Sequence, residues 1–171
     1  QFMGEQQPEK GLDGQQLLYS MDEVTILAPV TRPNIIFDGM VYEGHVKHHY
    51  GEIPAGYYKR PVWNTQSGST VVGTGAPLIK PKYTEQFDFE FEMGFYIGKR
   101  GRNIKPDEAL DYVAGFTVFN DVSARDAQAD EAVMALGPAK GKFFYNSLVM
   151  GPCVVTKDEL PDYDDLAMTA R

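Results

Sequence analysis

Glu90 and Glu92 stand two residues apart in the run FDFEFEMGFYI, residues 87–97. In that run Phe87, Phe89, Phe91, Met93, Phe95 and Ile97 share one parity, and Asp88, Glu90 and Glu92 share the other. A period of two predicts a strand, because successive side chains point to opposite faces. Residues two apart on a strand have Cα atoms about 6.8 Å apart, close enough for two long carboxylates to converge on one ion. Without a cation they would repel, and one pKa would rise. A hard divalent ion relieves that conflict and prefers oxygen ligands, as Mg²⁺ and Ca²⁺ do. The competing reading is a solvated outer face, although acidic residues are depleted in strands.

Other groups could join such a site. Asp121 ends the β-prone run GFTVFND, and Asp38 ends NIIFD. Taken singly, each also fits a cap or a turn. All three histidines fall in HVKHH: His45, His48 and His49. His45 follows Asp38 by seven residues, about two helical turns, and a neutral imidazole beside a metal can serve as a general base. His48 and His49 read as surface or lid residues. In GPAKGKFF, Lys140 and Lys142 sit among glycines. They fit either a solvent loop or a cation that holds an anionic substrate oxygen.

These groups need a scaffold. EVTILAPVTRP and NIIFD read as short strands, and GMVYEGHVKHHYG as a helix bounded by glycines, with Met40, Tyr42, His45, Val46 and His49 near one side. Residues 51–85 read as loops with small strands, and GKRGRNIKP as a basic turn. A helix is expected over PDEALDYVA, with Pro106 at its start. GFTVFND and SLVMGPCVVT read as strands, and VSARDAQADEAVM as a short helix. The mixture predicts an α+β domain, mostly β. Residues 1–20 are polar and Gln-rich and read as a linker or the end of a preceding segment; residues 21–171 form the domain. The sequence opens on Gln1 and ends in DYDDLAMTAR without a cap, which reads as a piece of a longer protein.

The totals exclude several classes. A net charge of −8 makes nucleic acid or an anionic membrane face a poor partner. No run of about 18 apolar residues is present to span a membrane. The single cysteine, Cys153, cannot form an internal disulfide and fits a reducing compartment, so the expected location is cytoplasmic.

The stretches FDFEFEMGFYIGKRGRNI, YVAGFTVFNDVSARDAQ, LGPAKGKFF and LVMGPCVVTKDEL, with FDGMVYEGH more loosely, resemble the fumarylacetoacetate hydrolase family over roughly residues 24–160. The pairing of D-F-E-x-E with N-D-x-S-A-R-D-x-Q is specific to it. The resemblance implies the mixed β-sandwich roll of the family's C-terminal domain, incomplete here at its C-terminus, and a homodimer or larger assembly. It implies Glu90, Glu92, Asp121 and Asp38 as ligands of Mg²⁺, or of Mn²⁺ or Ca²⁺. It implies His45 as the catalytic base and Lys142 as the contact to substrate or developing oxyanion. Gln128 is expected to line the substrate pocket, Tyr57 is similar to a substrate-contacting tyrosine, and Arg125 is expected to support the site through ion pairs. Glu43 is the nearby carboxylate expected to orient His45. The family's usual Trp after N-D is Val122 here, and an aromatic usual after the motif glutamine is missing, so an altered pocket wall is expected. The implied substrate is a small 2-oxo or β-diketo acid. The favoured reaction is metal-dependent hydrolysis of a carbon–carbon bond. Decarboxylation, isomerisation or dehydration of a 2-oxo acid is the alternative, and a non-catalytic relative is a third class.

Overall fold

The computed structural model describes residues 9–170. Strands β1 (Ile36–Gly39) and β2 (Trp63–Gln66) flank helix α1 (Glu43–Tyr50); the short β3 (Val71–Val72) and β4 (Phe87–Asp88) precede β5 (Phe91–Ile97). Then come β6 (Val113–Asp121), β7 (Ser123–Ala124), helix α2 (Arg125–Val133) and β8 (Leu148–Val155). The chain is α+β and mostly β. Its main sheet has the order β3-β8-β6-β5, with β3 parallel to β8 and the other pairs antiparallel. Two-stranded pairs β1–β2 and β4–β7 stand beside it.

The run 87–97 is not one continuous strand. Its first part pairs with β7 and its second with β6. Because β6 and β7 follow one another along the chain, a bend there at Val122 forces a matching break at Phe89–Glu90. The break is held by Asn120, whose side-chain oxygen accepts the Glu90 N–H (3.1 Å), and by the Asp121 N–H, donated to the Glu90 carbonyl (3.2 Å). Of the apolar parity, Phe89, Phe95 and Ile97 are exposed at 58%, 57% and 64%, whereas Phe87 packs on Phe144. Glu92 shares its side of the sheet with Phe119, Met150 and Tyr96, and that side meets the core.

The core forms two clusters: Ala28, Ile36, Phe119, Leu148 and Met150, then Val122, Ala124 and Phe144. Asp121 lies between Phe119 of the first and Val122 of the second. Val122 is buried inside the second cluster.

Three local expectations are corrected. EVTILAPVTRP is irregular: its prolines cannot donate to a ladder, and residues 26–28 run so close to Gly73 that a Cβ there would stand 2.2 Å from the Ile26 carbonyl oxygen. The helix expected over 39–51 begins only at Glu43, because Gly39 still pairs with Trp63. PDEALDYVA forms a 3₁₀ helix, Pro106–Tyr112, ended by the Gly98 N–H on the Tyr112 carbonyl (2.7 Å). The linker expectation for residues 1–8 falls outside the described residues. Residues 9–20 carry only turns and one bridge, Lys10–Gln16. Among the described residues no helix is long and apolar enough to cross a membrane.

Candidate metal centre

Glu90 stands at the break in the 87–97 run, just before β5, with Glu92 two residues on, and the end of β6 delivers Asp121. Carboxylate oxygens of the three lie within 4.8 Å of one another, the only such acidic group among the described residues. Asp88, the third carboxylate of the run, stays outside and pairs with the Arg125 Nε (2.9 Å).

Lys142 reaches the same cluster from the loop between α2 and β8. It is 2% exposed, and its Nζ donates to Glu90 Oε2 (2.7 Å) and to Asp121 Oδ2 (2.8 Å). Arg125 also donates to Glu90, and to Gln128 Oε1 (3.2 Å). On the other side Gln66 donates to Asp121 and stands 3.5 Å from Asp38 Oδ2. A polar chain thus runs Gln128–Arg125–Glu90–Lys142–Asp121–Gln66.

Charge is distributed unevenly along it. Burial pushes Glu92 up to about 9, and the carboxylates of Asp38, Glu90 and Asp121 add to the rise. Burial raises Asp121 to about 6, against the opposing pull of Lys142. Burial likewise raises Asp38. Glu90 is held below the usual range, because the ammonium of Lys142 and the guanidinium of Arg125 outweigh its burial. Burial alone would lower Lys142, but Asp121 and Glu90 outweigh it and hold the ammonium up.

Three clustered carboxylates suit a hard divalent cation. Asp121 Oδ1 is buried with no hydrogen-bond partner, and an unpaired buried acceptor is costly. A cation bound by that carboxylate would satisfy it. Asp38 lies outside the group of three, though its charge is felt at Glu92.

The remaining sequence candidates are more dispersed. His45 is exposed on α1, close enough to Asp38 to act on that carboxylate electrostatically. Glu43, expected to orient it, accepts instead from the Tyr58 hydroxyl and pairs with Lys47 (3.5 Å). Tyr57 donates to the Val41 carbonyl (2.8 Å) and so braces the entry to α1. Gln66 escaped sequence reasoning. Its one signal was its parity in β2, where it pairs with the buried Ile36.

Chelation gives a pH test. Glu92 has a folded-state pKa above its ordinary 4.5, so the fold binds its proton more tightly than the unfolded chain does. That stability is complete below about pH 4.5 and is lost as pH rises through about 9. In EDTA the unfolding midpoint should therefore fall between about pH 6 and 9, and added Mg²⁺ should flatten the decline. A flat profile in EDTA would mean that Glu92 is not crowded in this way.

The model of the fumarylacetoacetate (FAA) hydrolase C-terminal domain matches residues 34–171. The chain belongs to the fumarylacetoacetate hydrolase family. It is 36% identical over 173 residues to the mitochondrial oxaloacetate tautomerase fahd2 of Xenopus laevis, covering 99% of this chain and 52% of that one. It is 37% identical over 163 residues to the mitochondrial oxaloacetate tautomerase Fahd2a of Rattus norvegicus, covering 95% and 50%. Among solved structures it resembles the fumarylacetoacetate hydrolase of Exiguobacterium antarcticum, with a TM-score of 0.60 and 29% identity, over 77% of this chain and 46% of that one. The chain spans about half the length of the curated relatives it matches.

Proposed function

We propose that this chain carries the metal-binding part of an enzyme that interconverts the keto and enol forms of a small 2-oxo dicarboxylic acid of the oxaloacetate type. The observation that carries the reading is the buried Lys142 ammonium set against the Glu90–Glu92–Asp121 cluster. The names of the two tautomerase relatives supply the substrate class. Glu90, Glu92 and Asp121 would hold Mg²⁺ or Mn²⁺, which as a Lewis acid polarises the 2-oxo group of a bound substrate.

Enolisation removes a proton from C3, moves the C–H electron pair into a C2–C3 double bond and places negative charge on the C2 oxygen. Lys142 uses two of its three N–H donors on carboxylates, and the third remains for that oxygen. His45 takes the C3 proton, for which it must be neutral, and Asp38 supports the imidazolium that results. The proton that His45 takes from C3 is returned to the C2 oxygen to complete the enol, so the reaction consumes no water, unlike a hydrolysis. A second reading, hydrolysis of a carbon–carbon bond in a β-diketo acid, is supported by the likeness to the Exiguobacterium hydrolase.

Absorbance assays with Mg²⁺ or Mn²⁺ separate the two. Oxaloacetate should relax between its forms faster than in buffer, and acylpyruvates should persist. Cleavage of acylpyruvates with no effect on oxaloacetate would replace the first reading by the second, and inactivity on both would end both. His45→Ala should lose turnover by about 10²- to 10⁴-fold, the usual range for a general base, while His48→Ala keeps most of it. Equal losses in the two variants would remove His45 from the base role.

A further inference from the structure

Helix α2 and the loop that carries Lys142 meet at a single carboxylate. Glu131 lies in the last turn of α2. Its Oε2 accepts the N–H of Ala139 (2.7 Å) and of Gly141 (3.2 Å), and its Oε1 accepts that of Lys140 (2.6 Å). Three successive backbone N–H groups turned to one anion form a nest. Lys142 is the next residue.

The loop is fixed on its other sides as well. The Ala124 N–H donates to the Gly141 carbonyl (2.9 Å), and the Tyr83 hydroxyl to the Lys140 carbonyl (2.6 Å). The Lys142 and Phe143 N–H groups both return to the Ala139 carbonyl, at 3.1 and 2.6 Å. Gly141 lies so close to α2 that a Cβ there would stand 2.8 Å from the Gln128 Cβ. Glu131 supplies the only carboxylate that accepts from the backbone of this loop among the described residues. Burial by itself would raise its pKa, but the three amides outweigh burial and hold the carboxyl below its ordinary value. Ionised, it is the right acceptor for such a nest.

We propose that Glu131 is a positioning residue for Lys142: its carboxylate is the built-in anion of the 139–141 nest and fixes the loop so that the ammonium meets Glu90 and Asp121. The assignment of Lys142 to the developing oxyanion rests on the tautomerase reading given above; the mechanical link between Glu131 and Lys142 does not. Gln128, one turn earlier on α2, and Arg125 lead to Glu90 by side-chain bonds, so one helix sets both the carboxylate and the cation of the centre.

A double-mutant cycle in the intact protein with Mg²⁺ tests the link, with Glu131→Gln, Lys142→Met and the pair. Glu131→Gln keeps the shape but puts an amide N–H₂ against N–H donors. Turnover of oxaloacetate should fall about tenfold or more in Glu131→Gln, mainly in kcat, and the same change should cost less than about twofold once Lys142 is Met. The unfolding midpoint gives the cycle a readout independent of turnover, and there too the effect of Glu131→Gln should shrink in the Lys142→Met background. Amide protons of Ala139, Lys140 and Gly141 should exchange about tenfold faster or more in Glu131→Gln. Should that variant fail to fold, Glu131→Asp keeps the charge one methylene short and is expected to lose the same protection. Additive effects in the unfolding cycle, or unchanged exchange at 139–141, would overturn the proposal. Inactivity of the parent protein with a coupled unfolding cycle would overturn the tautomerase reading and leave the positioning role standing.

Discussion

Glu92→Gln should bind Mg²⁺ or Mn²⁺ more than about a hundredfold more weakly than the natural sequence, since loss of an outer-shell group alone costs about 10- to 100-fold, and yet lose no stability in EDTA. The two halves of that result have one cause. Glu92 is the carboxylate of the cluster with no bonded cation: Lys142 serves Glu90 and Asp121, and Arg125 serves Glu90 and Asp88. Crowding raises it to about 9, so at neutral pH without metal it holds a proton that a glutamine does not need. A cation must displace that proton before the carboxylate can ligate, and metal binding by the parent should release it. Isothermal calorimetry in two buffers of different ionisation enthalpy measures both affinity and proton release; thermal unfolding in EDTA measures the stability. Unchanged affinity in Glu92→Gln would remove the site from this strand, and a large loss of stability in EDTA would mean the carboxylate is already paired.

The sequence makes the pairing of Glu90 with Glu92 legible, because a period of two places both on one face whatever the surroundings. It does not say which face meets the core. Six large apolar side chains on one parity and three acids on the other point, on hydrophobicity alone, to the reverse of the arrangement found, in which Phe89, Phe95 and Ile97 are exposed and the glutamates are half-buried. Burial of the acids depends on Lys142 and Arg125, which arrive from residues 52 and 35 positions away from Glu90. No local pattern carries that information. The break at Phe89–Glu90 was hidden for a similar reason, since it answers a bend in the partner strand. Gln66 was missed because a glutamine in a short strand has no chemical signature until Asp121 is set against it. EVTILAPVTRP shows the converse, where β-propensity lost to two prolines and to the lack of a partner edge.

Lys142→Met should have the largest combined effect on the molecule, and divalent cation should undo part of it. The methionine is near in size and keeps the apolar stem of the lysine, so the change removes chiefly the charge. Glu90 and Asp121 then face each other with no ammonium at 2.7 and 2.8 Å. Breaking a buried pair by deleting one partner costs about 3–5 kcal/mol, because the remaining charge is uncompensated. The sign with pH follows from the same contacts. Lys142 is the first of the groups that hold Glu90 below its ordinary pKa against burial, so in the variant Glu90 and Asp121 both titrate upward. Raised folded-state pKa values give stability that is present at low pH and lost as pH rises. The variant in EDTA should therefore unfold most readily at alkaline pH, with a steeper decline than the parent. Mg²⁺ restores positive charge to the cluster and should bring the unfolding midpoint back toward that of the parent. Turnover should not return with it, because the donor to the developing oxyanion is still missing, and one such donor is worth about 10²- to 10³-fold. Unfolding curves with EDTA and with Mg²⁺, beside kcat in Mg²⁺, separate these roles. Full activity in the Mg²⁺-rescued variant would make Lys142 a structural counter-ion only, whereas a midpoint unchanged in EDTA would mean that its ammonium compensates neither carboxylate.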